Sequence, residues 1–212
     1  MVRHPRSDWL LAACLSWLAG YVDALGFLRM GGLFVSFMSG NSTRLAVGLV
    51  RDPAVARLAA GLVGAFIVGV ILGALVAGRR PRRQRAAVLA LVTLLLGGAA
   101  ILSGGTAARW TVFALAMAMG AENAVFLRDG EVSIGVTYMT GTLVKLGQRI
   151  ALALRGGARW GWVPYLLLWG GLIAGAVTGA VAFVHAGGMS IWIAVIVAGV
   201  LSLMSMTPMW RG

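Results

Sequence analysis

Charge is what this sequence has least of. Only 11% of its 212 residues are Asp, Glu, Lys or Arg, where a soluble domain carries about 25%. Acids are scarcer still, six against 18 basic residues. A single cysteine, Cys14, excludes an intramolecular disulfide and any cysteine pair for metal or redox work. The two histidines, His4 in the N-terminal tail and His185 at the end of an apolar run, have no third ligand in reach by sequence, so neither a metal nor a cofactor is expected. The GxSxG elbow, the P-loop, HExxH and paired CxxC motifs are all missing. The few polar residues inside the apolar runs do not compose a nucleophile–base pair, and the expectation is a protein that is not an enzyme.

What fills the chain instead is hydrocarbon: 60% of its residues are hydrophobic and the mean hydropathy is +0.91. Residues 58–78, 86–108 and 161–184 form runs with no charge until Arg79 or Arg109 or beyond the last. Each is near the roughly 20 residues that a helix needs to cross about 30 Å of lipid. Transmembrane helices are expected at 9–28, 57–78, 86–104, 108–127, 161–184 and 189–209. The first is read as a span and not as a cleaved signal peptide, because its apolar run continues to Leu28 and carries Asp23.

The net charge of +12 follows from the same picture. Five of the 18 basic residues sit in the loop Arg79-Arg80-Pro81-Arg82-Arg83-Gln84-Arg85. With six spans and the N-terminus inside, 13 of the 18 fall on the inner face; with eight spans the distribution is nearly even and the cluster lies outside. Cytoplasmic loops are the basic ones, which favours six spans, both termini cytoplasmic, and a bacterial inner-membrane location. The lipid bilayer is the expected partner, and nucleic acid is not.

One signature occurs twice. Asp23 precedes Phe27-Leu28-Arg29, then Met38-Ser39-Gly40 and Arg44-Leu45; Glu122 precedes Phe126-Leu127-Arg128, then Met139-Thr140-Gly141 and Lys145-Leu146. Three spans per copy is an odd number, so the two copies, 1–105 and 106–212, enter from opposite faces of one membrane domain. Inverted repeats of this kind place a substrate site near the midplane, between the halves. The fold class is therefore all-α integral membrane: six helices as two inverted three-helix repeats, each with a broken or re-entrant segment after its first helix. Gly69-x3-Gly73 corresponds in sequence to Gly171-x3-Gly175, and these small-residue faces suit packing between the halves or a homodimer.

The segments 29–56 and 128–160 are too polar for plain spans and too apolar for plain loops. Backbone broken at membrane depth is tolerated where protein or a cavity satisfies it. Ser39, Gly40, Asn41, Ser42 and Thr43, matched by Thr140, Gly141 and Thr142, look like helix N-termini rich in capping groups, which favour anions. Asp23 and Glu122 sit inside spans, where a charge costs roughly 2.5–3.5 kcal/mol. They are candidates for a coupling pair or for anchors of the broken segments, with Arg44 and Lys145 as charge partners. Asn123 lines the same place or bonds across helices.

The run Ala19-Gly20-Tyr21-Val22-Asp23-Ala24-Leu25-Gly26-Phe27, followed by Met38-Ser39-Gly40-Asn41-Ser42, resembles the YoaK-like family of bacterial inner-membrane proteins, a domain of unknown function. That family has a Gly-x2-Asp-Ala segment and then Met-Thr-Gly-Asn; here Ser39 replaces the Thr. The resemblance covers essentially the whole chain and implies a location and about six spans, with no substrate. The expected function is a secondary transporter or facilitator of a small polar solute, anionic if the helix N-termini bind it. A passive channel and a non-transporting membrane scaffold are the rivals.

Overall fold

In the computed structural model, which describes residues 6–79, 83–104, 108–128 and 130–207, the regular structure is almost wholly helical. Helices α1 (Arg6–Arg29), α2 (Met38–Arg51), α3 (Pro53–Arg79) and α4 (Gln84–Leu102) precede α5 (Thr111–Glu122), α6 (Met139–Leu154), α7 (Val163–Ala186) and α8 (Ile191–Met204). A 3-10 turn at Asn123–Phe126 extends α5, and another at Gly187–Ser190 joins α7 to α8. The departure from all-α is a small antiparallel hairpin, β1 (Leu127–Arg128) and β2 (Glu131–Val132), with Arg128 opposite Glu131. Arg3, His4, Arg80, Arg82, Trp210, Arg211 and the boundary between the two copies lie outside the described residues.

Among the described residues, four helical stretches are long and apolar enough to cross a membrane: Ser7–Arg29, Pro53–Gly78, Gln84–Leu102 and Val163–Met204. The last, at 42 residues, contains both α7 and α8 and turns at Gly187, whose φ of 51° suits glycine. Thr111–Phe126 is apolar but shorter. Outward faces carry Leu75, Leu94, Ile101, Val184 and Leu203, each more than half exposed. In water such surfaces would aggregate; in lipid they are the correct exterior. The protein is an all-α, multi-pass membrane protein.

The interior is organised around α1, the most buried of these stretches. Leu11, Leu15, Leu18, Val22 and Leu25 are almost fully enclosed. Apolar burial does not by itself pull helices together in lipid, so close backbone approach has to do it. Glycine supplies that approach. A Cβ on Gly171, Gly175 or Gly179 of α7 would strike the carbonyls of Ala13, Trp17 and Tyr21 of α1. On α3, a Cβ on Gly69 or Gly73 would strike the carbonyls of Met117 and Ala121 of α5. The Gly-x3-Gly faces singled out from sequence are thus occupied by packing within the chain.

These contacts share one arithmetic. Trp17 meets Gly175, and Met117 meets Gly69; Tyr21 meets Gly179, and Ala121 meets Gly73; Gly20 meets Leu172, and Gly120 meets Phe66. In each couple the residues of α1 and α5 differ by 100, and those of α3 and α7 by 106 (for example 117 − 17, and 175 − 69). Gly69 and Gly73 therefore match Gly175 and Gly179 in their packing, one helical turn beyond the Gly171 and Gly175 expected from sequence. The longer link between α6 and α7 absorbs the difference. α1 and α7 run parallel, as do α3 and α5. α4 and α8 pack on each other; Gly199 faces Thr93, again 106 apart, and the Ser202 hydroxyl donates to the Ala86 carbonyl at 3.0 Å.

Candidate functional site: the broken segments and a basic cleft

Between α1 and α2 the chain runs irregularly from Met30 to Phe37, and two polar side chains hold it. One Asp23 carboxylate oxygen accepts the backbone N–H groups of Val35 and Ser36, both at 2.8 Å. Asn41, fully buried in the first turn of α2, accepts from the Phe34 N–H at 3.0 Å and donates to the Phe34 carbonyl at 2.6 Å. Each is the kind of substitute partner that non-helical backbone needs at membrane depth. Asp23 is thus an anchor of the broken segment. Its partners are amides, not the Arg44 expected from sequence; Arg44 is exposed, with its guanidinium beside Gly32.

The second broken segment is held differently. Asn123 donates to the Met119 carbonyl at 3.0 Å and accepts from the Thr137 hydroxyl at 2.9 Å. Ser133 closes the hairpin by donating to the Phe126 carbonyl through its N–H and its hydroxyl. Asn123 is 100 residues from Asp23, the offset at which α1 and α5 correspond in their packing, and it too bonds into its broken segment, so the counterpart of Asp23 is Asn123 and not Glu122. Glu122 stands where the first copy has Val22. It is fully buried, and neither carboxyl oxygen has a hydrogen-bond partner among the described residues.

The capping groups also differ from expectation. The N-cap positions of α2 and α6 are Phe37 and Tyr138, with no side-chain cap. Ser42 and Thr43 bond back to the carbonyls of Met38 and Ser39 instead. Gly40 lies under the Phe37 ring; Ser39, Thr140 and Gly141 are at the surface, and nothing in the structure gathers them with the acids.

What does gather is a cleft of about 940 Å³ between α1, the β1–β2 hairpin, α6 and α7. Of the residues expected at a site, Thr142 and Lys145 line it. Thr142 is buried, and Lys145 is exposed with no ion-pair partner among the described residues. Arg128, Glu131, Gln148 and Arg149 complete its polar wall. Behind it the Trp9 and Tyr165 rings meet edge to face, with centroids 5.6 Å apart. The wall carries three cations and one acid, a formal +2.

Beside the cleft lies the residue that sequence reasoning missed. Asp8 is 1% exposed and reaches Arg85 at 2.7 Å and Arg128 at 3.7 Å. It ties the start of α1 to the start of α4 and to the hairpin after α5. Gln84 reinforces the junction by donating to the carbonyls of Ala124 and Leu127. An acid eight residues from the N-terminus, before the apolar run, reads as a tail residue; only its partners reveal it. At the other end, Arg29 donates to the Ser103 carbonyl at 2.9 Å, joining the end of α1 to the end of α4.

Residues 11–204 match the family model described as a protein of unknown function, DUF1275. The chain belongs to the DUF1275 family. Two relatives agree with that assignment. It is 37% identical over 195 residues to the UPF0700 transmembrane protein RA0705 of Rhizobium meliloti (strain 1021), covering 91% of this chain and 84% of that one. It is 30% identical over 155 residues to the UPF0700 transmembrane protein YoaK of Bacillus subtilis (strain 168), covering 69% and 68%. The resemblance to YoaK drawn from residues 19–42 is therefore correct. No solved structure matches the chain.

Proposed function

We propose that this DUF1275 protein is a secondary transporter or facilitator of a small anionic solute, built from two inverted-topology halves of three spans each in a bacterial cytoplasmic membrane. One observation carries the reading. The first span of each half packs on the second span of the other, α1 on α7 and α5 on α3, through glycines at constant offsets of 100 and 106. Such reciprocal exchange is what a two-fold axis requires, and α4 against α8, with Thr93 facing Gly199, fits helices on that axis.

The polar contacts support the inverted sense. Asp8 at the start of α1 meets Arg128 beyond the end of α5, so α1 and α5 run oppositely. Asp8 also meets Arg85 at the start of α4, which requires an even number of crossings between them. α1 and α3 supply two, leaving α2 as a short helix that does not cross. By the same count α6 does not cross, and α5, α7 and α8 complete six. The face holding Asp8 also holds Arg85, Arg128, Lys145 and Arg149, which suits the cytoplasmic side. Pairs of short helices preceded by irregular backbone, one in each half, are the marker of binding sites in inverted-repeat transporters.

The test is flux. Liposomes holding the purified protein and a mixture of small carboxylates and phosphate esters should release some of them in a protein-dependent, saturable way, with counterflow. Ohmic current at high unitary rate would make it a channel. No protein-dependent release of any solute would leave the scaffold reading.

A further inference from the structure

We propose that the cleft beside α6 is a binding site for a phosphate group, presented either by an anionic lipid headgroup or by a soluble phosphate ester. The proposal does not rest on the transport reading, because a headgroup would occupy the cleft without crossing the membrane.

The chemistry comes from two directions. Lys145 and Arg149 are four residues apart on α6 and both line the cleft, so one turn of helix presents two cations to it. Arg128 enters from the hairpin, on a different element. Three cations lining one cleft from two elements, with Arg128 also reaching Asp8 at 3.7 Å, fit a tetrahedral oxyanion with several acceptors better than a single planar carboxylate; guanidinium groups in particular pair with phosphate oxygens in bidentate fashion. Gln148 and the buried Thr142 add neutral donors on the same helix. Among the described lining residues Glu131, on the far strand of the hairpin, is the one acid, and Asp8 opposes Arg128 from beside the cleft. Glu131 disfavours a simple excess of negative charge and admits a headgroup or ester that carries a donor as well.

The depth fits a lipid-derived ligand. Trp9 and Tyr165 form part of the wall, and Trp160 and Trp162 pack together at the start of α7. Amphipathic rings of this kind mark the headgroup level. The buried Ile134 and Leu168 and the exposed Leu152 add apolar lining, so a ligand with a polar head and a carbon backbone would satisfy both surfaces. Basic pockets between helices at the cytoplasmic surface are established takers of phosphate headgroups. The volume of about 940 Å³ is within the range of small-molecule sites.

The test uses the full-length protein. In the first arm it is exchanged into phosphatidylcholine vesicles with or without phosphatidylglycerol, and co-retained lipid is counted by native mass spectrometry. In the second, inorganic phosphate and glycerol 3-phosphate are titrated in detergent while the thermal midpoint is followed. The expected result is binding in at least one arm, weakened about tenfold or more by Lys145→Glu, which removes one charge-assisted contact and sets a negative charge in its place. Arg44→Glu, at the matching place in α2 outside the cleft, should bind as the parent does. Retention of phosphatidylglycerol alone assigns a headgroup site; a response to the soluble anions alone assigns a solute site; both assign the shared chemistry. Lys145 is exposed, so its substitution leaves the fold intact. No binding in either arm, or binding that Lys145→Glu leaves unchanged, overturns the proposal.

Discussion

At the scale of single residues, the polar groups of the broken segments divide by what they touch. Asp23 and Asn41 each hold two backbone groups that no helix or ladder satisfies. A buried polar group left unpaired costs about 1–3 kcal/mol. Asp23→Ala and Asn41→Ala should each lower the thermal midpoint in detergent by that order, and Asp23→Asn should be milder, since an amide oxygen remains to accept. A midpoint unchanged in both alanine variants would remove the anchoring role. Glu122 is the converse. Its carboxyl contributes no hydrogen bond among the described residues, and the packing equivalent is Val22. Glu122→Leu should fold at least as stably as the parent, because replacing a buried polar group by an apolar one of similar shape is near neutral or stabilising. A drop comparable to that of Asp23→Ala would mean that Glu122 has a structural partner. The sequence made both acids conspicuous but aligned them wrongly: the second copy lacks a counterpart of Gly26, so counting back from Phe126-Leu127-Arg128 lands on Glu122, one position short of Asn123.

At the scale of elements, hydropathy gave away the helices, because an apolar run of sufficient length in lipid has no other way to satisfy its backbone. Each of the six stretches expected to span contains a helix, with α5 and α8 ending about five residues early, and among the described residues four helical stretches, one of them holding both α7 and α8, are long and apolar enough to cross. The short helices after each Met-[Ser/Thr]-Gly motif were also readable, from polarity that suits neither span nor loop. Their capping was not, because Ser42 and Thr43 have a carbonyl four residues back as an alternative partner. Helix pairing was half readable: small residues announce a close contact but not its register. That register makes a sharp expectation. Gly175→Ala places a methyl against the Trp17 carbonyl, whereas Gly64→Ala and Gly170→Ala point into open space. The first should destabilise the protein by about 1–3 kcal/mol, the usual cost of overpacking. The other two should be neutral or raise stability by about 0.5–1 kcal/mol, the helical advantage of alanine. Thermal scans of the three variants side by side decide it. Equal effects at all three positions would mean that α1 and α7 do not meet at Trp17.

At the scale of the molecule, the two ends of the bundle are locked by charge and the middle by glycine. Asp8, 1% exposed, sits against Arg85, whose side chain is 12% exposed. Removing one partner of a buried pair typically costs about 3–5 kcal/mol, because the other charge is stranded. Asp8→Ala should therefore unfold far earlier than the parent, and the double variant Asp8→Leu with Arg85→Leu should recover much of the loss. If the single variant melts like the parent, the junction of α1, α4 and the hairpin is not what holds that end together. The charged junction was not visible in the sequence, since Asp8 and Arg85 lie 77 residues apart, and of the cleft beside it, assembled from four separate segments, the sequence pointed to Thr142 and Lys145 alone.

The proposed function stands on two halves of opposite sense, and sidedness tests that most directly. In a Cys14→Ala background, Arg44→Cys and Lys145→Cys place one thiol each on α2 and α6, at matching positions of the two copies and both exposed. A membrane-impermeant maleimide applied to sealed vesicles of known orientation should label Lys145→Cys from the cytoplasmic side and Arg44→Cys from the opposite side. Labelling of both from the same side would contradict two halves that enter the membrane in opposite senses.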